Sequence, residues 1–325
     1  MSMKRRTLFS SVTSLAGLAA PGIRAARAQS WPSRPIELVV GWAAGSGTDV
    51  LARTLSPFME RYLGNGARIG VVNRPGAGGE VGLTAVATAR PDGYTIGTTA
   101  SPSFMMMMRE RQTRFTFDSF DFIGNVVSEW QSIFVAASSP FQTIQDLVDY
   151  AKANPRRLNI GMQGGPATAI AINRFSRAAG IEMTMVPFPG GGPNRTALMG
   201  GHIQVSLIGL GDGAPFVREG QIRILGAMAP SRWVELPDAP TMREQGIDVI
   251  ARADRGLAAP AGTPAAVMEQ LSDAVTSSLN DPDFVASART RGLVLNPMPR
   301  AEYQAHLAEM NQEIGELWRT EPWRR

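Results

Sequence analysis

The sequence predicts an α/β fold in which mostly parallel sheets are covered by helices. Two observations carry this. Short apolar runs alternate along the chain with longer stretches of helical periodicity, and glycine turns stand between several runs and the helix that follows. Strands separated by helices pair in parallel because the crossover returns the chain to the same end of the sheet.

In chain order, strands are expected at Ile36 to Val40, Arg68 to Val72, Tyr94 to Thr98, Phe122 to Val127, Leu158 to Met162, Met183 to Val186, Ile203 to Ile208 and Ile222 to Ala227. The helical stretch Asp49 to Leu63 contains Pro57, which costs about 3 kcal/mol inside a helix unless accommodated. A kink or a restart capped by Ser56 is expected there. Met105 to Met108 would point all round a helix, so at most one or two can face a site and core packing is expected. Thr143 with Asp146 reads as a capping box ahead of Leu147 and Tyr150. Thr263 reads as an N-cap with Pro264 at the first helical position, and Val267, Leu271, Ala274 and Val275 then line one face. Tyr303, Leu307, Met310, Ile314 and Leu317, spaced four and three apart, define a last amphipathic helix docked on a core.

The N-terminus reads as an export signal over residues 1–28: Lys4, Arg5 and Arg6, an apolar run from Leu8 to Ala20 too short to span a bilayer, and Ala26-Arg27-Ala28 as the cleavage site. The pair Arg5-Arg6 followed by Leu8-Phe9 fits a twin-arginine route, and a general secretory route fits as well. A location outside the cytoplasm, in the periplasm, is expected. The chain of 325 residues holds 32 Lys and Arg against 28 Asp and Glu, but five of the basic residues and none of the acidic ones fall in 1–28. The remainder has 27 against 28, a net charge of −1. A nucleic-acid partner is therefore not expected, since such proteins keep a basic excess to displace counterions. With 0 cysteines there are no disulfides, thiolate metal sites or cysteine nucleophiles, and no lipoprotein anchor. No metal or cofactor is expected, and the 2 histidines, His202 and His306, read as surface or helix-end residues.

The turn Gly45-Ser46-Gly47-Thr48-Asp49 follows an apolar run and opens a helix. Bare glycine N–H groups, the unpaired donors of a helix start and its positive dipole end together make an anion cradle. The same arrangement also serves as an ordinary strand-to-helix connection. Two further turns, Gly161-Met162-Gln163-Gly164-Gly165-Pro166-Ala167-Thr168 and Gly190-Gly191-Gly192-Pro193, are placed to converge with it on one cleft.

An ordered series of motifs resembles the periplasmic receptors of tripartite tricarboxylate transporters, also called Bug-type solute receptors. It comprises Trp31-Pro32-Ser33-Arg34-Pro35-Ile36, Gly45 to Asp49, Asn73-Arg74-Pro75-Gly76-Ala77-Gly78-Gly79, Pro91-Asp92-Gly93-Tyr94-Thr95, Ala153-Asn154-Pro155, Pro187-Phe188-Pro189-Gly190-Gly191, Leu236-Pro237-Asp238-Ala239-Pro240-Thr241 and Ala259-Pro260-Ala261-Gly262-Thr263-Pro264. The resemblance spans nearly all the chain after the signal. It implies a periplasmic binding protein of type II-like architecture, with two α/β domains, a ligand cleft between them and crossing hinge strands near Val127 and Ala253. Residues 29–126 and 254–325 would form domain 1 and residues 127–253 domain 2. The resemblance further implies a carboxylate held by backbone amides and hydroxyls, here in the loops of Gly45, Ser46, Gly47 and Thr48 and of Gln163, Gly164, Gly165 and Thr168, with Gly190 nearby. Three or four charge-assisted hydrogen bonds of about 1.5–3 kcal/mol each would offset the ion's partial desolvation. Trp42 and Phe188 stand where relatives carry cleft aromatics, or are half-buried aromatics with no such role. Thr99 and Ser101 match a hydroxyl-rich cleft loop. Asp49 falls in the ligand loop, although capping the helix suits a carboxylate better than facing another one.

Two departures bear on specificity. Gly165-Pro166-Ala167-Thr168-Ala169 is one residue shorter than in relatives and Ala169 replaces a usual histidine. Asp254-Arg255 replaces the usual aromatic pair before Gly256, and Arg255 either binds a second carboxylate, favouring a dicarboxylate, or pairs with Asp254 or another neighbour. The expected function is a monomeric receptor that binds a small organic carboxylate and delivers it to a membrane permease. A sensing subunit is the alternative. An enzyme using Ser46 or Ser101 lacks a base, because neither histidine adjoins a serine in these loops.

Overall fold

The computed structural model describes residues 31–163 and 166–320, which lie in one compact unit. The expected signal at 1–28 and the loop residues Gly164 and Gly165 lie outside the described residues. The first part of the chain alternates β1 (Ile36–Val40), α1 (Gly47–Leu63), β2 (Ile69–Asn73), α2 (Glu80–Ala87), β3 (Thr95–Ser101), α3 (Ser103–Glu110) and the long β4 (Phe120–Ala136). The middle continues with α4 (Ile144–Ala153), β5 (Asn159–Gln163), α5 (Pro166–Ala179), β6 (Thr184–Phe188), α6 (Gly191–Met199), β7 (Val205–Gly209), α7 (Leu210–Arg218) and β8 (Ile222–Ala227). The chain then forms β9 (Arg252–Pro260), α8 (Ala265–Leu279), α9 (Pro282–Thr290), β10 (Leu295–Met298) and α10 (Arg300–Thr320).

Strand order is β2-β1-β3-β9-β4-β7-β5-β6, with β8 and β10 also pairing β4. Pairing is parallel within β2-β1-β3 and within β6-β5-β7, where helices intervene, but β9 and β4 run antiparallel to every neighbour. The sheet is thus mixed rather than mostly parallel. The first part of β4, Phe120 to Trp130, pairs with β9, and its last residues, Gln131 to Ala136, pair with β7 and β8. One strand therefore belongs to both groups. One apolar core packs α1, α8 and α9 against β1 and β2, and a second packs α4 and α5 against β5 and β7.

Several local expectations are met. Thr143 and Asp146 form the reciprocal capping box. On α10, Tyr303, Leu307 and Ile314 are buried, and Met310 packs against the same cluster. Met105, Met106 and Met107 are core residues of α3. Two expectations are not met. Of the kink or restart expected at Pro57, the restart does not occur: the 17-residue α1 runs through it, and Ser56 is a buried residue within the helix; α1 packs against α8 and β2. Thr263 does not cap α8, because its hydroxyl donates to the Pro260 carbonyl at 2.7 Å and the helix begins only at Ala265.

Candidate functional site

A cavity of roughly 1230 Å³ opens where the β1–α1 loop, the middle of β4, the start of β9 and the N-terminal ends of α5 and α6 come together, with α3 and α10 completing the wall. At one pole, Gly45 adopts φ +80, in the left-handed region that favours glycine, and turns the chain into α1. Ser46 is the N-cap, its Oγ accepting from the Asp49 N–H at 3.3 Å. The N–H groups of Gly47 and Thr48, the first two of α1, have no carbonyl one turn back to donate to, and both residues line the cavity.

Asp49 does not line the cavity. Its carboxylate accepts from the Gly45 N–H at 2.8 Å, from Asn73 Nδ2 at 2.8 Å and from Arg53 Nε at 3.0 Å. Asn73 also donates to the Trp42 carbonyl at 3.0 Å, so the start of the Asn73-Arg74-Pro75-Gly76 motif braces both ends of the glycine loop. Burial works to raise the Asp49 carboxyl, but the donors of Gly45, Arg53 and Asn73 outweigh it and hold it below the usual carboxylate range.

Facing this loop are residues from the shared strand and its partner. Glu129 on β4 is buried, its Oε1 accepts from the Gly211 N–H at 2.7 Å, and its Oε2 lies 3.6 Å from Arg255 Nη1. Burial first, then the charge of Asp212, pushes the Glu129 carboxyl up to about 7, against the lowering effects of Arg255 and of the Gly211 and Asp212 N–H groups. No side chain fits at Gly209, since a Cβ there would collide with Glu129. Arg255 lies against the glycine loop: a Cβ added at Gly47 would stand 3.3 Å from Arg255 Nη1. Its ion partner is Glu129, while Asp254 bonds Ser128 Oγ, His306 Nε2 and Arg252 Nε.

Of the residues expected at the site, Trp42, Gly45, Ser46, Gly47 and Thr48 line the cavity, as do Thr168, Gly190 and Arg255. Thr99, Ser101 and Phe188 do not. Thr99 is buried and shares a 2.9 Å hydrogen bond with the Tyr303 hydroxyl, Ser101 is buried, and Phe188 packs on the cluster of Phe134 and Ile208. Gln163 ends β5. Sequence reasoning missed Glu129, Arg195 and His306. Arg195 Cζ stands 3.8 Å over the Phe216 ring centroid, and its Nη1 donates to the Asp212 carbonyl. His306 is not a surface residue; it lines the cavity between Asp254 and Arg252. No distinct sequence signal marks Glu129, because β4 also carries Asp121, Asn125, Ser128, Gln131 and Ser132. Met106, Met107, Met310 and Ile314 give the cavity apolar lining.

A mixed sheet with a shared central strand and a cavity of ligand size fits the architecture of a solute-binding protein. The sequence matches the family model "Tripartite tricarboxylate transporter family receptor" over residues 51–319. It is 30% identical to the UPF0065 protein in the gbd 5' region of Cupriavidus necator, over 96% of this chain and 97% of that one. Among solved structures it is similar to MatC from Rhodopseudomonas palustris with bound malate (27% identity, TM-score 0.74, 89% of this chain and 98% of that one). It is also similar to another R. palustris protein with adipate (25% identity, TM-score 0.79, 89% and 98%). The chain belongs to the tripartite tricarboxylate transporter receptor family, whose members are periplasmic solute receptors; it is a solute-binding receptor and not an enzyme. Among the described residues no helix is long and apolar enough to cross a membrane.

Proposed function

We propose that this receptor binds a small organic carboxylate in the cavity and delivers it, outside the cytoplasm, to a tripartite tricarboxylate-type membrane permease. The observation that carries the reading is the pair of unspent N–H groups at Gly47 and Thr48, opening into a cavity that also holds the Arg255 guanidinium. Malate and adipate in two similar structures favour the same ligand class. One carboxylate sits on the glycine loop, Thr168 and Gly190 approach it from the opposite side, and the apolar lining of Met106, Met107 and Met310 receives the carbon skeleton. Residues 29–126 with 254–325 act as one lobe and 127–253 as the other, and turning about β4 and β9 closes them on the ligand. The closed form of a single copy is what the permease recognises.

The test is calorimetric titration of protein refolded free of carried-over ligand, with aliphatic and aromatic mono-, di- and tricarboxylates and acidic amino acids. Saturable binding to one class, with the ligand recovered unchanged, is expected. Absence of heat with every carboxylate rejects the reading.

A further inference from the structure

The glycine loop and the β4–β9 pair meet at one place in the cavity, and that place holds an incomplete ion pair. The Arg255 side chain is only 15% exposed, yet its Nη1 stands 3.6 Å from Glu129 Oε2, an attractive separation but too long for a hydrogen bond. Among the described residues the guanidinium makes no hydrogen bond. The guanidinium borders the open cavity without a protein acceptor among the described residues, so its donors are available to an acceptor that enters there. The guanidinium lies against Gly47, beside the free N–H groups of α1, so both sets of donors reach the same volume.

We propose that Arg255 is the anion-binding cation of the receptor: the ligand carboxylate seats at the N–H groups of Gly47 and Thr48, hydrogen-bonds the Arg255 guanidinium, and replaces Glu129 as its partner. This rests on the carboxylate-receptor reading and adds the side chain that recognises the anion, at the glycine-loop pole rather than at a distant second carboxylate.

The exchange has a consequence for Glu129. It faces Arg255 from β9, Asp212 and the Gly211 N–H from α7, and the uncharged Gly209 at the end of β7. Arg195 of α6 reaches this group only through the Asp212 carbonyl, and Arg252, Asp254 and His306 of β9 and α10 bond one another beside it. Drawing Arg255 toward a ligand weakens its attraction to Glu129 and brings a further negative charge near, so Glu129 takes up a proton as the ligand binds. Glu129 sits at about 7 in the free protein. Uptake is therefore largest above pH 7, fades as Glu129 becomes protonated beforehand, and makes affinity fall as pH rises.

The test is titration with succinate and with butyrate at pH 8, in two buffers of different ionisation enthalpy, for the wild type, Arg255→Gln and Glu129→Gln. The wild type should take up protons on binding. Arg255→Gln should lose at least tenfold in affinity for both ligands alike, and Glu129→Gln should bind at least as tightly as the wild type with no proton uptake. Arg255→Gln binding as tightly as the wild type, a loss confined to succinate, or unchanged uptake in Glu129→Gln would each overturn the proposal. No heat from the wild type with either probe or with the wider carboxylate panel rejects the receptor reading itself, and this proposal with it. A carbon-13 carboxyl titration of the wild type with and without succinate reads the same exchange without a substitution: the Glu129 midpoint should rise on binding, and an unmoved midpoint overturns the exchange.

Discussion

Asp49 and Glu129 stand on opposite sides of one cavity wall, each 3% exposed, and their carboxyls are driven in opposite directions. Asp49 lies under a thin cover, beside an Arg53 side chain that is 52% exposed, and three donors converge on it. Glu129 is deep, with the Gly211 N–H on one oxygen, Arg255 at 3.6 Å from the other and Asp212 close by. Shielding from water does not by itself set a protonation state; the supply of donors decides it. Asp49 is a brace whose charge is fixed, and Glu129 is a group whose charge can answer to its surroundings.

The largest expected effect separates the two by pH. The folded value of Glu129 lies above its unfolded value, so the folded protein binds the extra proton between 4.5 and about 7 and stability falls as pH rises through that window. Glu129→Gln should remove that decline, as read by urea unfolding at a series of pH values. A decline that persists in the variant would assign it to another group. For Asp49 the sign reverses: its contribution is present above the ordinary value of 3.8 and is lost as pH falls through the lowered folded value. Asp49→Asn should cost about 2 kcal/mol at pH 7 and much less near pH 2, because a charged acceptor of three donors is lost only where it was charged. Equal costs at the two pH values would mean that the brace does not depend on charge. The smallest effect is expected at Gly47→Ala, where the added Cβ must press on the Arg255 guanidinium. Carboxylate affinity should fall about threefold while the melting temperature holds or rises slightly, since alanine is the better helix former; unchanged affinity would detach Arg255 from the loop.

Much of the fold was legible because it is written locally. β1 spans the expected residues, Thr143 with Asp146 caps α4, and the apolar spacing of α10 matches its buried face. β9 was not read as a strand from its residues, since Arg252, Asp254, Arg255 and Gly256 give it neither alternation nor an apolar run; pairing on both edges holds it. The four-residue β10 was missed for a similar reason, with a proline inside it. At the site, the glycine loop was visible because backbone geometry demands glycine and a cap. The Glu129–Arg255 pair was not, because 126 residues separate partners that only strand pairing brings together.

β4 has a mechanical consequence of its own. At ~3.3 Å per residue, its 17 residues form a rod about 55 Å long that is built into both groups of strands. Any rotation of one group against the other must be absorbed as torsion along that rod and along β9, which pairs with it over Phe120 to Trp130. Glu129 sits where β4 passes from one group to the other. A side chain on the axis of a torsion bar travels less than one far from it, and Glu129 stands on that axis.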